Sequence, residues 1–559
     1  MAKKRFLTLK TLSVLAGLAL VLSGCVSEEQ KLKPALESIT AEDLSRDVQI
    51  LSSDEFEGRA PASKGEELTV AFLKEEFEKL GLKPGNGESF FQEVPLVEIT
   101  ADPSVKLEIK SQERKVSFAY GNEFMAWTLR VVEQVGLANS EMVFVGYGII
   151  APEYNWNDYE GLDVKGKTVV MLVNDPGFAT EDPEFFKGRA MTYYGRWTYK
   201  YEEAARQGAD GALIIHETEP AAYPWAVVEN SWSGPKFNLT SEDNYLSRCA
   251  VEGWITLETG QKLFKEAGLN YEETKAAAAT RDFKAIPMNQ KASVIIKNKI
   301  RYANSKNVMA LWPGSDRADE CVIYMAHWDH FGIDPSLEGD QIFNGALDNA
   351  TGTAALLELA EAFTKLESPP SRSILFLSVT AEEQGLLGSY YYAANPVFPA
   401  TKTVAVINMD ALNIYGKMKD ITVIGYGNSE LEDYLAAAAA EQGRRVRPNP
   451  EPEKGSFFRS DHFPFAKQGI PALYADSGID HVEHGEEWTL AQTDKYTAEK
   501  YHKPSDEYDP NWDLSGAIDD LHLLFKVGYR LSMESTFPIW KEGSEFKAKR
   551  DADMEAVKE

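Results

Sequence analysis

The chain has 559 residues, 43% of them hydrophobic, and a formal net charge of −29 at pH 7. That length is too great for one ordinary core and implies two domains. Acidity on this scale argues against nucleic acid as a partner and suits solubility outside the cytoplasm.

The first segment reads as targeting, not as fold. MAKKRFLTLK is basic, and TLSVLAGLALVL is apolar but too short to span a bilayer comfortably. Leu22-Ser23-Gly24-Cys25 then resembles a lipoprotein cleavage site. Residues 1–24 are expected to be a signal peptide, Cys25 a lipidated N-terminus held at a membrane, and residues 25–39 a polar tether. Val26, rather than Asp, follows the cysteine and leans toward the outer membrane of a bacterial envelope.

Residues 40–100 begin the body. TAEDLSRDVQILSS predicts a helix capped by Thr40, with Asp43 as the reciprocal carboxylate. VAFLKEEFEKLGLKPG predicts a second helix that stops at Gly81. Residues 101–290 change texture: VKLEI and VSFAY alternate, and MVFVGYGI, KTVVMLVN and GALIIHE are apolar strand candidates. They read as a β-rich or small α/β module, without a metal-ligand cluster, inserted into a larger domain. Residues 291–540 alternate apolar strands with amphipathic helices, from CVIYMAHWDH to IPALYADSG. That pattern predicts an α/β fold with a mixed, largely parallel sheet sandwiched by helices. Residues 541–559 are expected to be a polar tail. Cys249 and Cys321 fall in different domains and are read as buried thiols.

In such sheets ligands collect beyond the carboxyl ends of the strands. Five motifs fit that rim: AHWDH (326–330), ALDNATG (346–352), TAEEQG (380–385), INMDAL (407–412) and YHKPSDE (501–507). Together they offer two His, two Asp and two adjacent Glu, an inventory for a two-zinc hydrolytic centre with one carboxylate left as a base. His327 ends a strand, and Asp329 is placed to hold its second ring nitrogen. Asp348 precedes a helix and has two oxygens with which to bridge a metal pair, while Asn349 or Thr351 caps that helix. Adjacent side chains at a strand-to-helix turn diverge, so we assign Glu382 as general base and Glu383 as ligand. Asp410 follows an apolar run and needs a partner, which a metal would supply. His502 completes the set, with Asp506 able to orient its imidazole. His330 is read as a supporting or loop residue, His481 and His484 as rival ligands in a hydrophilic loop, and Ser460, Asp461 and His462 as pocket lining. Arg459 is a candidate for recognising a substrate carboxylate.

In order and type the five motifs resemble the M28 metallopeptidases, zinc aminopeptidases with a phosphorylase/hydrolase-like α/β fold. The resemblance covers residues 40–100 and 292–535, and the insert resembles a protease-associated (PA) domain. It implies two zinc ions per chain: one on His327 and Asp410, one on Glu383 and His502, with Asp348 bridging. It implies Glu382 as catalytic base and Asp329 as the carboxylate that supports the ligand His327. No ligand position is substituted, unlike the receptors of this family that have lost metal ligands or its single-zinc glutaminyl cyclases. The implied activity is that of a di-zinc exopeptidase on peptides, foremost an aminopeptidase. A carboxypeptidase or dipeptidase of the same fold, and a non-enzymatic binding protein, stand as alternatives.

Overall fold

The computed structural model describes residues 28–111 and 114–557. The expected signal peptide and Cys25 lie outside these residues. Among the described residues no helix is long and apolar enough to cross a membrane.

A mixed central sheet organises the body. Its strands run in the order Pro235–Leu239, Phe91–Ala101, Ile286–Trp312, Arg372–Val379, Arg317–His327, Thr403–Asn408, Ala472–Asp476, Asp420–Ile424 and Arg445–Pro448. The middle four, from Arg372–Val379 to Ala472–Asp476, are mutually parallel. They read as near-continuous apolar runs because both faces are covered. Side chains alternate between the two layers. Val322, Tyr324 and Ala326 face the helices Ala41–Leu51, Thr351–Thr364 and Ser515–Met533. Ile323 and Met325 face the opposite cluster with Tyr392 and Phe465. Helix Ser515–Met533 can lie this close only through Gly528, where a Cβ would fall 1.8 Å from the Tyr324 hydroxyl.

A second sheet occupies most of residues 103–297. It runs Lys115–Ala119, Lys106–Lys110, the first half of Ile286–Trp312, Gln134–Phe144, Thr168–Leu172, Gly211–His216, Val251–Thr256 and Phe124–Trp127. It buries its own clusters on its two faces, around Phe144 and Leu213 and around Met171 and Trp254. The join to the body differs from the expected break at residue 290. Ile286–Trp312 is one continuous strand of 27 residues that serves both sheets. Pro235–Leu239, from inside the insert, also adds an edge strand to the central sheet. Lys467 ties the seam, its Nζ lying 3.0 Å from Glu202 and 2.8 Å from the Tyr193 hydroxyl.

Both ends of the described chain are more ordered than the sequence reading holds. The expected tether contains a helix, Glu28–Ser38, that buries Leu32 and Ala35 in the main core together with Ile39. Those positions share a helical face, a spacing masked by the charged residues around them. The expected polar tail contains helix Lys547–Ala556. Phe546 and Arg550 are buried, and the Arg550 guanidinium donates to the carbonyls of Ala400 and Thr403 at 2.5 and 3.0 Å. Cys249 and Cys321 are both buried and free.

Candidate metal centre

The carboxyl ends of the parallel strands converge on one acidic rim. His327 is the last residue of its strand, Asp410 lies two residues past Thr403–Asn408, and Glu382 and Glu383 follow Arg372–Val379. Asp348 comes in on the turn before helix Thr351–Thr364. His502 comes from the loop ahead of Ser515–Met533 and has a left-handed backbone, φ 56°.

Asp348 stands between two pairs. Its Oδ1 is 3.4 Å from His327 Nε2, which is also 3.2 Å from Asp410 Oδ1. Its Oδ2 is 3.3 Å from His502 Nε2, which is also 3.4 Å from Glu383 Oε2. Donor atoms of His327, Asp348 and Glu383 all lie within 4.8 Å of one another. Glu382 belongs to neither pair, although its charge acts on His327.

The supporting shell differs from the sequence reading in two places. The Asp329 carboxylate is 3.9 Å from His327 Nδ1, which instead lies 3.1 Å from the Asp329 main-chain carbonyl. The carboxylate accepts from the backbone N–H groups of Glu382 and Glu383 at 3.0 and 3.4 Å, so it shapes the turn carrying both glutamates. Asp506 likewise has no bond to His502. It accepts from the N–H groups of Leu347 and Asp348 and from the Tyr496 hydroxyl, and so positions Asp348. Asn349 does cap its helix, its Oδ1 accepting from Gly352 N at 2.9 Å. Ser460 donates to Asp410 Oδ2 at 2.6 Å, and Ser389 donates to Asp461 at 2.5 Å. His330 Nδ1 lies 2.6 Å from Glu383 Oε1, the oxygen other than the one beside His502. His481 and His484 stack on each other, and both rings pack at a tilt against Trp488. His462 is buried beside Phe457 and Tyr474, and among the described residues neither ring nitrogen has a hydrogen-bond partner.

Arg59 is the residue that sequence reasoning missed. It is 1% exposed, and its guanidinium donates to the carbonyls of Trp328, Leu51, Asn344 and Gly345 at 2.6–2.9 Å. Burial lowers its pKa to about 10, against the pull of Asp506, Asp329, Asp348 and Glu383. It braces the rim from beneath with a fixed positive charge. The only signal was Gly58 beside it, at φ 64°, where a Cβ would meet the Gly332 carbonyl oxygen at 2.5 Å.

The electrostatics describe a site overfilled with acid. Burial raises Glu382 well above the usual carboxyl range, and the charges of Glu383 and Asp410 add to this. Asp329 is pushed up to about 8 by burial and by Glu383. Burial opposes protonation of the two imidazoles, yet the surrounding carboxylates hold His327 well above its ordinary range and His502 at about 9. Such a set of oxygen and imidazole donors, crowded and mutually repelling, fits divalent cations.

Residues 307–525 match the model for Peptidase family M28. This span is an M28 peptidase domain. All five motifs lie inside the M28 span, whereas Arg59 lies before it. Over shorter stretches the chain is similar to curated proteins. It is 33% identical over 160 residues to Aminopeptidase NAALADL1 of Rattus norvegicus, covering 28% of this chain and 20% of that protein. It is 31% identical over 199 residues to Leupeptin-inactivating enzyme 1 of Streptomyces exfoliatus, covering 35% of this chain and 40% of that protein. The matches thus span a fifth to two fifths of these relatives' length. In fold, the chain is similar to an aminopeptidase from Aneurinibacillus sp. strain AM-1, with a TM-score of 0.50 and 21% identity over 90% of this chain and 97% of that one.

Proposed function

We propose that this chain is a two-zinc aminopeptidase, a hydrolase that releases residues from the N-terminus of peptides. The observation that carries this reading is the Asp348 carboxylate, one oxygen beside His327 and Asp410 and the other beside His502 and Glu383. Those five residues would hold the two ions. When bound, such ions polarise a carbonyl and acidify a water.

The chain's own residues supply the rest. Glu382 lies outside both pairs, and burial gives its carboxyl a high proton affinity. That suits a base that takes a proton from the attacking water and returns it to the leaving amine. Asp329 fixes the Glu382–Glu383 turn, so base and ligand keep their separation. The acidic rim favours a free α-ammonium group, which is why we place the N-terminus there. The insert we read as a PA-like module walling the cleft. We also read the protein as lipid-anchored through Cys25 to the bacterial envelope; Cys25→Ser should then release it from the membrane fraction.

Metal analysis and timed digests test the activity. We expect about two zinc ions per chain, loss of hydrolysis on chelation, and recovery with zinc. Long peptides should shorten from the free N-terminus, and N-acetylation should block cleavage. Shortening from the C-terminus, with acetylated peptides cut as fast, would favour the carboxypeptidase alternative.

A further inference from the structure

Glu382, Glu383 and Gln384 lie on one turn between strand Arg372–Val379 and helix Leu387–Ala394. Its base is closed by Gly388 N, which donates to the Thr380 carbonyl at 2.9 Å, and by Leu387 N, which donates to the Ala381 carbonyl at 3.0 Å. Asn307, on the strand shared by both sheets, grips that base: its Nδ2 donates to the Gly388 carbonyl at 2.9 Å and its Oδ1 accepts from Thr380 N at 3.1 Å. Within the turn Ala381 and Leu386 are left-handed, φ 53° and 62°. Non-glycine residues keep such backbone only where their surroundings over-determine it. Asp329 fixes the N–H groups of Glu382 and Glu383. The next residue, Gln384, is held from the insert. Strand Pro235–Leu239 pairs with Phe91–Ala101, Phe237 opposite Glu98 and Leu239 opposite Leu96. Alternate N–H groups of an edge strand point away from its neighbour, and the Phe237 N–H donates to Gln384 Oε1 at 3.4 Å. Packing reinforces this long bond. Phe237 and Leu239 lie against a buried cluster of Ala381, Leu387, Val94 and Leu96, so the insert strand shares one small core with both limbs of the turn.

We propose that strand Pro235–Leu239 of the insert is a positioning element for the turn carrying Glu382 and Glu383, with Gln384 as the positioning residue through which it acts. This rests on the aminopeptidase reading. Base and ligand are neighbours in sequence and have to keep different stations. A turn with two left-handed residues has no helix or strand ladder of its own to hold those stations. Asp329 secures two of its amides, Asn307 secures its base, and the insert secures the following side chain. Gln384 is one residue from Glu383, so movement there is passed to both carboxylates. A misplacement of about 1 Å at a reacting group can cost about 10²-fold in rate. The insert therefore contributes to the chemistry through geometry, without supplying a metal ligand.

The test uses the full chain. Gln384→Met keeps the length of the side chain and removes its acceptor, whereas Gln384→Glu keeps an acceptor. At saturating zinc the methionine variant should lose on the order of 10-fold in kcat, with KM within about twofold of wild type and zinc content unchanged. Its hydrogen exchange should quicken by about 2- to 10-fold in segments 380–388 and 235–239 together, and stay at the wild-type rate in helix Ser515–Met533. Gln384→Glu should return exchange in both segments to the wild-type rate. Phe237→Ala loosens the same strand from its packing. Combined with Gln384→Met it should cost less in kcat than the product of the two separate losses, because both act on one turn. If the wild-type protein cleaves no peptide, the aminopeptidase reading fails while the exchange arm still decides the positioning. Unchanged exchange in both segments of the methionine variant, or a glutamate variant that exchanges as fast as the methionine one, would overturn the proposal. So would an active enzyme whose kcat is untouched by Gln384→Met.

Discussion

Two adjacent glutamates, Glu382 and Glu383, have opposite surroundings. Glu383 is flanked by two imidazoles, His330 and His502, whereas among the described residues the Glu382 carboxylate has no hydrogen-bond or ion-pair partner. Glu382→Gln should therefore keep the full zinc complement while losing about 10²–10⁴-fold in turnover. Glu383→Ala should lose or weaken one ion. Metal content by mass spectrometry beside kcat checks both, and reversed metal contents would mean that the roles are exchanged. Arg59 gives the second prediction at this scale. Arg59→Met leaves four inward-facing carbonyls without their donor and removes the charge beneath the carboxylates. We expect a loss of about 3–5 kcal/mol in urea unfolding, comparable to removing one partner from a buried ion pair. A loss below about 1 kcal/mol would show that the brace is dispensable.

Helix Thr351–Thr364 joins the rim to the N-terminal segment. Glu358, 2% exposed, accepts from the Thr40 N–H at 2.8 Å. The anticipated capping box is thus rearranged: Thr40 accepts from Asp43 N, while a distant glutamate satisfies Thr40's own N–H. Burial raises the Glu358 carboxyl to about 8, and the charges of Asp43 and Asp47 add to this. An unfolded glutamate titrates near ~4.3. Between these values the native state holds the proton that the unfolded state has lost. The Glu358 contribution to stability is therefore fully present below the unfolded pKa and falls as pH rises toward about 8. Glu358→Gln keeps the acceptor and removes the titration. Its melting temperature should fall less than wild type between about pH 5 and 8. Parallel melting curves for the two proteins would exclude Glu358 as the source.

At the scale of the whole molecule, two sheets with separate cores share one strand and one edge. The seam beside them packs Met191 and Tyr193 of the insert against Phe457, Phe458 and Phe463 of the body, and there Lys467 holds Glu202, Tyr193 and the face of Tyr390 together. Lys467→Met should loosen the insert without disturbing the metal rim. Hydrogen exchange should quicken in helix Trp197–Arg206, by an amount matching about 1–3 kcal/mol, and stay unchanged around His327 and Glu383. Faster exchange everywhere would mean that insert and body unfold as one unit.

The sequence by itself carried the α/β class and the five motifs, because apolar periodicity and strand-end position are local properties. AHWDH announces a strand that stops at His327, and TAEEQG the turn just past strand Arg372–Val379 that carries Glu382 and Glu383. The pairing around Asp348 was legible only as a resemblance, since three separate strand ends and two loops must close on it. The role of Asp506 was decided by tertiary structure: it holds the Asp348 backbone, although its place near His502 suggested an imidazole partner. Arg59 was hidden for the same reason. Its four acceptors come from positions 51, 328, 344 and 345, and no local pattern marks an arginine whose acceptors are distant backbone carbonyls.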